Sequence, residues 1–208
     1  MNYMKNELGI WDIAVLALLQ EAPMHPYEMR RLLKIRHKDE ILALKSGSLY
    51  HSIARLQRAG LIAVETTERD GKRPERTTYH VTSAGLDALM SSLRMMVSTP
   101  RRESSEFMAA MSFLVYLDSA EAVRRLEERA RKLEAEIVQV SAGLGAASAF
   151  VERINLVESE YLQAMLKAEL GWVRGLENEI RSGRLDWNLE KILKGIRASR
   201  DAARKPEV

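Results

Sequence analysis

Residues 48–68 read SLYHSIARLQRAGLIAVETTE, and their periodicity changes once, at Gly60. At about 100° per residue, Leu49, Ile53 and Leu56 fall in one narrow arc, which predicts an amphipathic helix over 48–59 with an aliphatic inner face. His51, Ala54, Arg55 and Arg58 lie opposite, with Ser48 and Tyr50 on the flanks. Gly60 stands where a helix is expected to end on glycine. Beyond it Ile62 and Val64 alternate with small or charged residues, a period of two that predicts a strand over 61–68. Thr77, Tyr79 and Val81 repeat the alternation, and Asp70-Gly71 between the runs is a turn signal. The two runs are predicted to form a β-hairpin whose basic tip carries Lys72, Arg73 and Arg76.

Upstream, LGIWDIAVLALLQ over 8–20 predicts a helix apolar nearly all round, and so buried on more than one side. Pro23 and Pro26 interrupt the chain after it. A second helix is predicted over 27–35, with Pro26 at its first turn and Met29, Leu32 and Leu33 facing inward. Three helices followed by a hairpin describe a winged helix-turn-helix. Thr82-Ser83 is expected to cap a fourth helix reaching Met96.

The polar segment STPRRESS over 98–105, with Pro100, reads as a linker, and helix is expected to resume at Glu106. A long helix is predicted over 120–141, because Val123, Leu126, Ala130, Leu133, Ile137 and Val140 follow a 3-4-3-4-3 spacing, a heptad seam. Gly143 and Gly145 are expected to loosen the chain before a last main helix over 149–182. That helix carries one stripe of Phe150, Ile154, Val157, Tyr161, Ala164, Ala168 and Trp172, and a second of Leu162, Leu166, Leu170 and Val173. Two stripes need neighbours on both sides, which points to a second subunit. The dimer interface is therefore expected at Val123, Leu126, Leu133, Ile137, Ile154, Tyr161, Leu166 and Leu170. The fold class that follows is mainly α: a winged helix-turn-helix with a two-stranded β-wing over 1–97, a linker over 98–105, an all-α dimerisation domain over 106–197 and a flexible tail over 198–208.

Composition narrows the function. The 208 residues are 46% hydrophobic and 29% charged, a balance that supports a folded core rather than disorder. There is no cysteine, which excludes disulfides, a thiol nucleophile and cysteine-based metal sites. The longest apolar run, Leu8–Leu19, contains Asp12 and falls short of the roughly 20 residues of a membrane span. No signal peptide is expected, and a cytoplasmic location is. Residues 27–76 hold 12 Lys or Arg against 7 Asp or Glu, whereas residues 99–208 hold 18 of each, so the positive excess sits in the first half. A local excess of this kind suits a polyanion. The four histidines show no metal-binding spacing, and no nucleophile-elbow or P-loop sequence occurs. Neither enzymatic activity nor a cofactor or metal is expected.

A recognition helix lies in the DNA major groove, where arginine pairs in bidentate fashion with guanine. His51, Arg55 and Arg58 are the side chains aimed that way. Ser48, with the amides of the helix start, and Tyr50 suit phosphate contacts. Lys72, Arg73 and Arg76 suit the DNA backbone or minor groove. The other reading is a protein-interaction adaptor that binds through its C-terminal helices. His25 and His80 read as hydrogen-bonded structural residues. Trp11 and Trp172 read first as core anchors and alternatively, with Tyr161, as the aromatic wall of an effector site in a groove between the domains.

Met24-His25-Pro26-Tyr27-Glu28-Met29, Gly47-Ser48-Leu49-Tyr50-His51, Arg58-Ala59-Gly60-Leu61-Ile62 and Tyr79-His80-Val81-Thr82-Ser83-Ala84-Gly85 occur in order, and as a set they resemble the PadR family of bacterial transcriptional regulators. The helical region of more than 100 residues after them, with Ala168-Glu169 and Trp172, is similar to the long-form subgroup. Pro26 stands where the family usually has glycine, and His51 where it has proline. The resemblance implies a homodimer, commonly a repressor, that binds inverted-repeat operator DNA and in some members is released by a small aromatic or hydrophobic effector. It also implies DNA contacts at Tyr27, Ser48, Tyr50, Lys72 and Arg73.

Overall fold

The computed structural model describes residues 8–38, 42, 48–68, 76–101 and 105–203. The chain divides into two compact units, Met1–Arg102 and Glu103–Val208. In the first, helices α1 (Ile10–Glu21), α2 (Pro26–Ile35) and α3 (Ser48–Arg58) precede strands β1 (Ile62–Glu68) and β2 (Arg76–Val81) and helix α4 (Ser83–Ser98). Winged helix-turn-helix order is thus observed. The all-round apolar α1 lies at the centre: its Val15, Leu16 and Leu19 are buried with Met29 and Leu33 of α2, Leu49, Ile53 and Leu56 of α3, Ile62 of β1 and Leu89 of α4. Burying one such aliphatic side chain contributes about 1.5–3 kcal/mol, so this cluster fixes the azimuth of α3 with its aliphatic arc inward.

Local chemistry sets the joints. Pro26 occupies the first turn of α2, and His25 Nδ1 accepts the Tyr27 N–H at 3.0 Å. The ends of α1 and α2 are tied by a fork in which Arg36 Nη1 and Nη2 donate to Glu21 Oε1 at 2.5 Å and Oε2 at 2.8 Å. Hydrogen bonding to that guanidinium holds the Glu21 carboxyl below the usual carboxylate range. α3 ends at Gly60, whose φ of +70° is open to glycine at little cost. There Leu61 N–H reaches Leu56 O and Gly60 N–H reaches Gln57 O, both at 3.0 Å, closing the helix in a Schellman turn. The hairpin is antiparallel with Ile62 opposite Val81 and Val64 opposite Tyr79, and the register shifts between Val64 and Thr66. Met24 and Tyr79 exchange backbone hydrogen bonds at 3.0 and 3.2 Å, adding a short third partner beside β2.

In the second unit, α5 (Glu106–Ser112) and a 3-10 turn at Leu114–Tyr116 lead into α6 (Ser119–Ala147). Asp118 caps α6 by accepting the Ala120 and Glu121 amides. A second 3-10 turn, Arg153–Asn155, precedes α7 (Val157–Arg181), and α8 (Leu189–Ala203) follows. α6 and α7 form an antiparallel hairpin. Val123, Leu126, Ala130 and Leu133 of α6 are buried with Leu166, Val173 and Ile180 of α7. Arg129 with Glu169, Arg174 with Glu134 and Arg181 with Glu127 pair along its sides.

Three sequence expectations are corrected here. Gly143 and Gly145 do not interrupt the helix, which runs on to Ala147. Extending an existing helix fixes one residue per hydrogen bond gained, and Gln163 Nε2 of α7 holds this stretch through the Ser141 hydroxyl at 2.7 Å. Chain reversal falls later, at 148–156, so the last main helix starts at Val157 rather than at 149. Arg153 pins that turn to Glu160 with two hydrogen bonds of 3.0 Å. Residues 198–203, expected in a flexible tail, belong to α8, whose start is capped by Asn188 Oδ1 accepting the Lys191 N–H.

Candidate nucleic-acid interface

The inner arc of α3 is wholly buried, so its outer arc is necessarily presented to solvent. His51, Ala54 and Arg58 are exposed there, with Tyr50 beside them. Arg58 Nε donates to the Ala54 carbonyl of its own helix at 3.2 Å. Ser48, half-buried, is the first residue of α3. Tyr27 lies exposed in the first turn of α2 with the Arg30 guanidinium 5.7 Å from its ring centre, a cation–π pair on the same face. Between the start of α2, the flank of α3 and β2 is a cavity of about 250 Å³ lined by His25, Tyr50, Ile53, Gln57, Thr77 and Tyr79, among others. Tyr50 therefore borders both the outer face of α3 and the root of the wing.

Arg55 departs from expectation. Its Nη2 donates to Asp12 Oδ1 at 2.7 Å and Oδ2 at 2.6 Å, so this arginine is engaged with α1 and not free on the outer arc. Asp12 is the residue the sequence reading missed as a partner; only its presence in an otherwise apolar helix marked it out. Arg76 lies in β2, and Lys72 and Arg73 lie outside the described residues. His25 caps α2, and His80 Nδ1 stands 2.6 Å from Glu65 Oε2 across the hairpin, so both are tied into the structure. Among the described residues no cluster of three or more metal-ligating side chains exists.

The expected dimer residues separate into two groups. Val123, Leu126, Leu133 and Leu166 are buried, and Ile137 and Leu170 half-buried, between α6 and α7 of one chain. This corrects their assignment to a subunit interface: the heptad seam is satisfied internally by the hairpin. Ile154 and Tyr161, 74% and 68% exposed, remain outside it. Of the expected effector residues, Trp11 packs against the first core, and its indole N–H is buried with no partner among the described residues. Trp172 is half exposed and meets Phe107 edge-on at 6.0 Å, while Arg129 stacks 3.7 Å over that Phe107 ring.

A buried three-helix core that holds a cationic helix face beside a two-stranded wing defines the winged helix-turn-helix class of DNA-binding domain. Residues 15–91 of the chain match the transcriptional regulator PadR-like family. No curated protein matches it. Among solved structures, Bacillus subtilis PadR in complex with operator DNA is similar, with a TM-score of 0.67 and 20% identity over 83% of this chain and 99% of that one. The same protein in complex with p-coumaric acid gives a TM-score of 0.68 at 18% identity, over 83% of this chain and 99% of that one. The Vibrio cholerae virulence activator AphA gives 0.59 at 13% identity, over 83% of this chain and 98% of that one. At these identities the likeness is one of fold.

Proposed function

We propose that the protein is a dimeric, cytoplasmic transcriptional repressor that binds an inverted-repeat operator and is released by a small aromatic or hydrophobic effector. The observation that carries the reading is the division of α3: Leu49, Ile53 and Leu56 are buried, while His51 and Arg58 are held outward beside Tyr50. Such a helix presents hydrogen-bonding side chains to base edges on a rigid support. Tyr27, Ser48 and Tyr50 supply phosphate contacts, and Lys72, Arg73 and Arg76 follow the backbone alongside the wing. The fold shared with a regulator crystallised on operator DNA supports the same partner. No described helix is long and apolar enough to cross a membrane.

Dimerisation is assigned to the exposed α7 residues Val157, Tyr161, Met165 and Trp172, with Ile154 exposed in the turn before them. Two copies joined this way would address two half-sites about one DNA turn, roughly 34 Å, apart. The effector is proposed to meet Trp11, Tyr161 or Trp172; Bacillus subtilis PadR, which shares the fold, binds p-coumaric acid. Release requires that the effector favour a state unable to bind DNA.

An electrophoretic shift assay against the DNA flanking the protein's own gene tests the reading. Arg58→Ala is expected to relax preference at one base position, costing about 1–3 kcal/mol there. Lys72→Ala is expected to weaken all sequences alike and lower the salt slope by about one. The adaptor reading draws on the same exposed residues, and a folded protein that ignores every duplex would favour it.

A further inference from the structure

Asp12 lies in the most apolar helix of the first unit with a side chain only 2% exposed, yet its carboxylate is fully met by donors. The Gly9 N–H donates at 2.9 Å, the Ser52 hydroxyl at 2.5 Å and Arg55 Nη2 at 2.6 and 2.7 Å. Ser52 and Arg55 are three residues apart, on the edge of α3 that faces α1. Apolar packing is non-directional, whereas this carboxylate fixes both the rotation and the height of α3 against α1.

The pairing also decides which arginine is available. A guanidinium grips guanine O6 and N7 through one of two forks, Nη1 with Nη2 or Nε with Nη2. Both forks use Nη2, and in Arg55 that nitrogen is on Asp12. Arg58 is exposed and donates through Nε to the Ala54 carbonyl of its own helix, a bond that leaves Nη1 and Nη2 for a partner outside the chain. We infer that Asp12 is a positioning residue for DNA specificity: it takes Arg55 Nη2 away from the bidentate base contact, aligns α3, and leaves Arg58 as the arginine that reads a base. The inference rests on the DNA-binding reading above.

The test uses the full chain and two probes, a duplex selected by the wild-type protein from a randomised pool and a scrambled duplex of equal length. Wild type, Asp12→Asn, Arg55→Met and the double variant are titrated across salt, each checked for native helicity. Asn keeps an oxygen for the Gly9 N–H and turns an NH2 donor toward the Ser52 hydroxyl oxygen, while removing the charge that holds the guanidinium. Asp12→Asn is expected to bind the scrambled duplex more tightly, with a salt slope steeper by about one phosphate contact. Its preference for the selected duplex is expected to fall about tenfold, the scale of one misread base pair. The double variant is expected to lose the added slope, and Arg55→Met alone to keep the wild-type base preference at every position on reselection.

A folded Asp12→Asn with unchanged slope and preference overturns the inference, as does a changed base preference in Arg55→Met. If Asp12→Asn does not fold, reselection with Arg55→Met decides alone. Wild-type protein that binds neither probe overturns the DNA-binding reading itself, which separates the two failures.

Discussion

Gly85 has no room for a methyl group: a Cβ there would lie 2.1 Å from the backbone carbonyl oxygen of Leu61. That oxygen already accepts the Thr82 N–H at 3.1 Å, while the Thr82 hydroxyl donates to the Gly60 carbonyl and accepts the Gly85 N–H. The first turn of α4 is thereby seated on the junction of α3 with β1. Gly85→Ala must push that turn away, and is expected to destabilise the protein by roughly 2–4 kcal/mol in urea unfolding. Gly60→Ala, with open space but a left-handed φ, is expected to cost only about 1 kcal/mol. Equal costs would show that the close approach at Gly85 is not maintained in solution. At this scale the sequence was partly legible. Gly60 as a helix end and Thr82 as a cap follow from local backbone chemistry. The engagement of Arg55 does not, because helical spacing says which side of α3 a residue occupies and nothing about an aspartate 43 positions earlier.

Among the elements, those whose register is set by neighbours in sequence were readable from pattern. The amphipathic arc of α3, the alternation in β1 and β2 and the 3-4 seam of α6 each appear at the residues expected. What pattern left open was the partner. A heptad seam states that an apolar edge is covered, and α7 of the same chain covers it as well as a second subunit could. The helical course of Gly143 and Gly145 has the same origin, since their local preference is outweighed by the helix that precedes them. Both are exposed with open space around the missing Cβ. Gly143→Ala and Gly145→Ala are therefore expected each to stabilise the protein by roughly 0.5–1 kcal/mol. A thermal melt reads this as a higher Tm, and a lower one would show that the helix ends before these positions.

For the whole molecule, charge and apolar surface are divided between the two units. The positive excess lies in 27–76, around α3 and the wing, whereas the second half is neutral and carries Tyr161 and Trp172 exposed on α7, with Ile154 exposed in the turn before it. A neutral surface with aligned aromatics suits self-association better than contact with a polyanion. A charge placed on that surface, as in Tyr161→Glu, is expected to give a monomer in sedimentation with unchanged helicity. Operator affinity is then expected to fall about a hundredfold, because the second half-site is no longer met at high effective concentration. A dimer that survives both Tyr161→Glu and Ile154→Glu would move the interface elsewhere.

The paired amides of Met24 and Tyr79 have a mechanical consequence. They staple the root of the wing to the corner between α1 and α2, so that root is expected to exchange its amide protons with the slow helical core and not at the pace of a two-stranded ribbon. The root of the wing is thus a fixed fulcrum beside the helical core, set before the register shift between Val64 and Thr66.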